Sequence, residues 1–503
     1  MTNRGMRTDY ALRQRYRAIF SYTGMIFMLG GLLMLTPLIA LLAWPEEQIY
    51  RLGFIIPAAI IFGMGMMMWI PLRPREPIVL TVQEGGVIVL ISWIMICVFS
   101  AFPLMIINKL GFTQAVFESV SGYTTTGLSV VDVTKASHLI LLWRSIMQLA
   151  GGAGFAIIIL ASITEPAGPG FTIAEGRTDQ LVPNVRRSSK LVLRIYSGYA
   201  IVGVAAYCLA GMTPFEAINH AFPAISTGGF SDKPESIGHW NSATIEAITI
   251  ALMIMGNLNF LTAYLFLKGK LKTVTRNGEV RLMAFLIPVS SLILFIFVCR
   301  GLYPTFGKSI RVAIFETVSA LTTTGFSTVS YTNWNGLGIL VLIVLMIIGG
   351  GTCSTAGGIK QYRIYLLFKS LLWEIRRPLF PRTTVFGNYV WQGEQKDYIS
   401  DVRIRQVSNY LFLYLATFII GSGILAAHGY GLRESLFEFA SAIGTVGLSI
   451  GITSVSSPHI VLWTEIFGMF LGRLEFFIVF LGFMKIIGDS HAMFRIMKSE
   501  PQK

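Results

Sequence analysis

Four short clusters hold the residues of this chain whose types and spacing could do chemistry: Thr125-Thr126-Gly127, Thr227-Gly228-Gly229, Thr323-Thr324-Gly325 and Thr445-Val446-Gly447. Each lies near the end of one recurring text, FESVSGYTTTGLS (117–129), INHAFPAISTGGFS (218–231), FETVSALTTTGFS (315–327) and FEFASAIGTVGLS (437–449), and the four closing glycines are 102, 96 and 122 residues apart. The chemistry they could do is coordination of a small dehydrated cation. Stripping hydration water is costly, so a selective site replaces that water with a ring of backbone carbonyls. Glycine, lacking a Cβ, takes the positive φ that turns successive carbonyls toward one axis, and slim Thr or Ser neighbours keep the strand narrow. Close helix packing could also use small residues, but it does not ask for four copies at a period of about one hundred residues. The copies therefore predict a pseudo-fourfold ring within one polypeptide.

A second cluster is IIGGGTCSTAGGIK (347–360), which carries Gly349, Gly350, Gly351, Thr352, Cys353, Ser354, Thr355, Ala356, Gly357, Gly358 and Lys360. It lacks the spacing of a phosphate-binding loop, since Lys360 follows Ile359 rather than Gly, and the dinucleotide pattern fails because Ser354 stands where its last glycine should be. Small residues directly after an apolar run break a helix inside the membrane, which is tolerated where the broken backbone lines a cavity. This segment is expected to be a gate, against a passive kink. Arg473, about 20 Å along the apolar run that starts at Ile460, is too costly to face lipid. It reads as a cation barrier below the ring, against an interhelical ion pair or snorkelling, and Glu475 two residues on is off its helix face.

Other polar groups carry weaker signals. Glu118, Glu216, Glu316 and Glu438 each follow a Phe and read as carboxylates at pore-helix N-termini, with concentration of cations at an outer mouth as the alternative. Asn257 and Asn259 suit either interhelical hydrogen bonds or a cavity lining. Cys97, Cys208, Cys299 and Cys353 have no paired spacing, and the six histidines are scattered, so neither a disulfide framework, a metal site nor a bound cofactor is indicated.

The elements that must position these residues are membrane helices. With 53% hydrophobic and 13% charged residues the chain is far more apolar than a soluble domain. Runs at 21–44, 52–72, 86–108, 139–164, 191–211, 243–267, 282–302, 337–350, 406–427 and 459–487 predict about ten spans. The net charge of +14 is no nucleic-acid footprint. Its clusters, from Arg4–Arg17 through Lys268–Arg281 to Lys485–Lys503, all fall on one side if spans alternate, which puts both termini in the cytoplasm and the repeated loops outside. Each repeat reads as helix, half-helix, loop, helix. In the second, Phe215 to Gly229 is fourteen residues against ten elsewhere, which implies a longer pore helix or a different start. The expected division is 1–84, an N-terminal tail and extra helix pair; 85–190, repeat 1; 191–279, repeat 2; 280–404, repeat 3 with the gate segment and a cytoplasmic loop; and 405–503, repeat 4 and a C-terminal tail. The polar stretches 165–190 and 374–404 are the longest inside loops, and the latter, with Pro378 and Pro381, suits docking. The fold class expected is an all-α polytopic membrane protein with four pore-loop repeats in pseudo-fourfold symmetry. No acid/base or nucleophile cluster favours an enzyme, and an assembly scaffold without flux would not need four such glycines.

The TTTG loops, the four repeats, the glycine-rich 347–360 segment and the core GRLEFF of Phe467–Phe477 together resemble the Trk/Ktr/HKT superfamily of potassium transporters, most closely its bacterial TrkH branch, over nearly the whole length. The resemblance implies potassium, and its congener rubidium, as the transported ligand, with glycine in all four filters going with potassium rather than sodium. It also implies a multi-pass protein of the cytoplasmic (inner) membrane that forms a homodimer and docks a cytosolic nucleotide-binding subunit of the TrkA type. Gly228 and Val446 depart from the common pattern. A symporter coupled to protons or sodium is the rival mechanism, which buried carboxylates such as Glu465 and Glu475 would favour.

Overall fold

The computed structural model describes residues 2–73, 80–154, 185–381, 387–392 and 395–499. The described residues are mainly helical, with a single small hairpin among them. Two N-terminal helices, α1 (Thr2–Met34) and α2 (Arg51–Leu72), form an intimate antiparallel pair. Glycines let them approach: a Cβ on Gly24 would stand 2.7 Å from the Gly65 carbonyl oxygen, the small-residue contact that membrane helices use where apolar side chains gain nothing over lipid.

Four units then follow. The first is α3 (Val82–Ile107), the short α4 (Phe112–Tyr123) and α5 (His138–Ala153). The second is α6 (Val185–Leu209), the short α7 (Pro214–Ser226), α8 (Ala243–Asn257) and α9 (Phe260–Leu267). The third is α10 (Gly278–Leu294), the short α11 (Phe306–Leu321), α12 (Gly336–Ile348) and α13 (Gln361–Arg376). The fourth is α14 (Asp401–Ala427), the short α15 (Leu432–Ile443), α16 (His459–Leu474) and α17 (Phe476–Ser499). A small hairpin, β1 (Tyr389–Gln392) with β2 (Gln395–Tyr398), sits in the 374–404 loop. The expected unit boundaries at 85, 191, 280 and 405 fall within the first two turns of α3, α6, α10 and α14. Those turns are polar, so hydropathy detects each helix late.

Six helices among the described residues are long and apolar enough to cross a membrane. Two more of the expected spans are not straight: α8 and α9 meet at 117°, and α16 and α17 at 98°. The runs 243–267 and 459–487 are thus each a bent pair, α12 is a shorter apolar helix, and α5 stops at the left-handed Gly154. Large apolar side chains exposed around the outside, among them Leu42, Met67, Leu209 and Phe412, form the lipid-facing surface expected of a bilayer protein. The short helices are the inner pillars; nearly every residue from Ala115 to Tyr123 is buried. They start earlier than Phe117, Phe315 and Phe437, at Phe112, Phe306 and Leu432, because the extended caps Gly111, Thr305 and Gly431 set the entry. The second has no extra turn: α7 is 13 residues against 12 for α4 and α15.

Candidate functional site

Each short helix ends the same way. The threonine opening each cluster is left-handed, with φ of 55° at Thr125, 51° at Thr227, 53° at Thr323 and 49° at Thr445, a region that residues with a branched Cβ seldom occupy. The next N–H, of Thr126, Gly228, Thr324 or Val446, donates back to the carbonyl five residues earlier, at 2.8–3.0 Å, which closes the helix as a Schellman-type cap. The glycine that follows has φ of 96°, 72°, 84° and 98° at Gly127, Gly229, Gly325 and Gly447. Gly228 and Val446 therefore depart in side chain only; the backbone is common to all four.

The four glycines meet. A Cβ on Gly127 would strike the carbonyl oxygen of Gly228, one on Gly229 that of Thr324, one on Gly325 that of Val446, and one on Gly447 that of Thr126. The contacts run from the first unit to the second, third and fourth and back to the first, so the twelve cluster residues form one closed ring. The C-terminal, partially negative ends of four helices point into it.

Buried carboxylates staple the outer half of the ring. Glu118 accepts from Ser129 Oγ and Val130 N, both at 2.9 Å, and from Arg144 Nε at 2.7 Å. Glu316 accepts from Thr328 N and Oγ1 at 2.8 Å and Tyr331 OH at 2.5 Å. Glu438 accepts from Ser449 Oγ at 2.6 Å and Ile450 N at 2.9 Å. These groups lie well inside their helices rather than at the N-termini, which corrects the dipole reading, and they are too enclosed to draw cations to a mouth. Glu216 alone sits in a capping box, with Thr213. The residue nine before the glycine in the second unit is His220, whose Nε2 shares a 2.9 Å hydrogen bond with Ser231 Oγ. Registering the windows on the glycine rather than on the Phe-Glu pair would have found it.

Above the ring a cavity of about 730 Å³ is bordered by all four glycines and by Asp132, Lys233 and Glu235. The Thr134 hydroxyl, and then Lys135, hold the Asp132 carboxyl down at about 2, so its charge is constant near neutral pH. Arg144, buried beside this cavity, ties two units together: it donates to Glu118, to Ser129 Oγ at 2.9 Å and to the Ser231 carbonyl at 3.0 Å. Gln148 grips the second cluster, donating to Gly228 O at 2.6 Å and accepting from Phe230 N at 3.1 Å. Neither residue stood out in the sequence, because polar positions inside an apolar run carry no repeat.

On the other side of the ring lies the 349–360 segment. Gly349, with φ 69°, ends α12, and Gly358 at φ 76° turns the chain back beside it. Gly357 N donates to Thr323 Oγ1 at 2.7 Å, and Thr355 Oγ1 lies 3.1 Å from Thr227 Oγ1 and donates to Gly256 O at 2.9 Å. Asn257 accepts from Gly351 N at 3.1 Å, and Glu279 accepts from Thr352 N and Oγ1 at 2.7 Å; Asn259 caps α9. Ser354 Oγ donates to Gly351 O at 2.6 Å, Lys360 Nζ donates to the Ala356 carbonyl, and Cys353 is left-handed. Arg473 reaches the same segment, donating to Thr355 O at 2.5 Å and to Gly151 O at 2.7 Å. Glu475, at the bend, pairs instead with Arg363 at 2.8 Å, as its place off the Arg473 face requires. The 349–360 segment and Arg473 thus sit together, and the segment packs against three of the four left-handed threonines, Thr227, Thr323 and, at Gly357, Thr445.

Comparison with known proteins came out uniformly. A family model described as TrkH, cation transport protein, matches residues 54–495. The chain is 31% identical over 485 residues to the Trk system potassium uptake protein TrkG of Escherichia coli, covering 93% of this chain and 98% of that one. It is 29% identical to the Trk system potassium uptake protein TrkH of Halomonas elongata, over 92% and 97% of the two chains. The crystal structure of the potassium transporter TrkH from Vibrio parahaemolyticus superposes with a TM-score of 0.81 at 27% identity, over 93% of this chain and 98% of that one.

Proposed function

The chain belongs to the TrkH family of cation transport proteins, and on that premise we propose that it carries potassium inward across the cytoplasmic membrane through one channel-like pore. The observation that carries this reading is the closed ring of four glycine-bearing strands, in which each missing Cβ makes room for the next strand's carbonyl. Carbonyls of Thr125-Thr126-Gly127 and its three counterparts replace the ion's hydration shell, and the four helix C-termini add negative potential where the ion is dehydrated. Below them the 349–360 segment obstructs the path, and the Arg473 guanidinium raises the energy of a passing cation. The segment has to move for flux. Its run of small residues suits it to do so.

The wider reading extends what the charge pattern and the family resemblance imply. Both termini face the cytoplasm, the chain pairs as a homodimer, and the inner face, including 374–404, docks a TrkA-type nucleotide-binding subunit that biases the gate. Uncoupled flux is favoured over symport because Glu475 is engaged with Arg363 and Glu465 is enclosed behind Thr453, which leaves neither carboxylate on the path. The test is flux into liposomes holding this chain alone, with potassium, rubidium, sodium and lithium compared under an imposed voltage. Potassium and rubidium currents that reverse at their Nernst potentials support the proposal. Uptake that needs a proton or sodium gradient would establish the symporter, and no cation flux would remove the transport reading.

A further inference from the structure

Gly228 is the one glycine in the middle of a cluster; its counterparts are Thr126, Thr324 and Val446. The space that a side chain would fill there is taken by Gln148: a Cβ on Gly228 would come within 2.8 Å of Gln148 Nε2 and nearer still to its carbonyl group. Gln148 is itself the exception among its counterparts. It lies eleven residues after the cap Ser137 of α5, and at the same distance from Ser242, Asn335 and Pro458, the caps of α8, α12 and α16, stand Met253, Met346 and Met469. All four side chains are fully buried. One unit has therefore exchanged methionine for a carboxamide of the same length, and the adjoining strand has exchanged its β-branched residue for glycine.

The exchange is chemically matched. The carboxamide donates to Gly228 O and accepts from Phe230 N, so the two bonds fix its orientation and flank Gly229 as a rung of a sheet would. Among the described residues no side-chain donor reaches the carbonyls of Thr126, Thr324 or Val446. Thr126 and Thr324 are instead held by their own hydroxyls, which pair with Thr124 and Thr322 at 2.7 and 2.8 Å; the corresponding residue in the second unit is Ser226.

We infer that Gln148 is a positioning residue of the filter: its carboxamide clasps the second strand from the neighbouring unit, fixes the Gly228 carbonyl, and so sets the ion preference of that quadrant. The pair Gln148 with Gly228 is one solution, and Met with a β-branched residue, used three times elsewhere in the ring, is the other. This rests on the filter reading above.

The experiment is liposome flux with potassium and sodium for four full-length proteins: native, Gln148→Met, Gly228→Thr and the double variant. Gln148→Met leaves a buried N–H and a carbonyl without their clasp, and the potassium-to-sodium permeability ratio is expected to fall roughly tenfold. Gly228→Thr meets the Gln148 amide and should be worse. The double variant, which can pair the new hydroxyl with Ser226, should return the ratio to within about threefold of native, a recovery that non-additive coupling predicts and a general loss of packing does not. A native ratio in Gln148→Met, or a double variant no better than the single ones, overturns the inference. So does a double variant that fails to fold when Gln148→Met also fails. A native protein without potassium preference would instead fail the filter reading itself, and this inference with it.

Discussion

Gly325 has the least room of the glycines in the ring, since a Cβ there would collide with the Val446 carbonyl oxygen and approach the Gly447 Cα at 2.9 Å. Gly325→Ser, like Gly127→Ser, should lower the potassium-to-sodium permeability ratio by about tenfold or more in a protein that still folds, measured by reversal potential; an unchanged ratio would take the glycines out of the filter. The staples predict a different outcome. Glu118 and Arg144 are 0% and 2% exposed, so Glu118→Gln strands a buried guanidinium and should cost about 3 kcal/mol, read as a lower unfolding midpoint in detergent. The glycines were legible from the chain because the geometry they allow is local and repeated. The staples were not, since a carboxylate after Phe looks the same whether it caps a helix or bonds a strand eleven residues on. His220 was hidden by the resemblance of Phe215-Glu216 to Phe117-Glu118.

At the scale of elements, the helices that follow the strands break where the site needs them to. A hydropathy window sums along the chain and is blind to direction, so the α8–α9 and α16–α17 pairs read as straight spans; Asn257, Asn259 and Glu475, polar within apolar runs, were the available hints. The α8–α9 break frees backbone groups that the 349–360 segment then satisfies, with Phe260 N donating to Cys353 O at 3.2 Å and Thr355 Oγ1 donating to Gly256 O at 2.9 Å, which is how irregular backbone is tolerated at membrane depth. Arg473→Ala should raise basal potassium flux several-fold while leaving ion preference largely intact. Deleting Gly350 through Gly357 should do the same if the protein assembles, and the two changes together should add less than their sum because both act on one barrier. A folded Arg473→Ala protein with native flux would give Arg473 a packing role only.

For the whole molecule, the expected docking loop has more internal structure than its composition implied. Val390 of β1 is buried with Leu366 and Val407, and Arg276 lies over the Trp391 ring at 5.3 Å, so the hairpin is tied to the helical body. Of the other long polar stretch expected inside, 165–190, residues 165–184 lie outside the described residues. Replacing residues 378–398 by a neutral linker should abolish co-purification with a TrkA-type subunit and its effect on flux, while flux of the chain alone persists. Retained binding would move the docking surface elsewhere.

The ring also sets a schedule for how this protein is made. Its last contact joins Gly447 to Thr126, and the nearby His459 to Thr113 hydrogen bond spans 346 positions. Nothing local can complete it. Until the fourth unit leaves the ribosome and inserts, the first strand has no neighbour on one side, and its backbone oxygens face a gap inside the bilayer. Such long-range closure is slow, and the three-quarter ring is the species most open to misassembly or degradation. Biogenesis, rather than the stability of the finished ring, is therefore the stage at which defects in the fourth unit should first be felt.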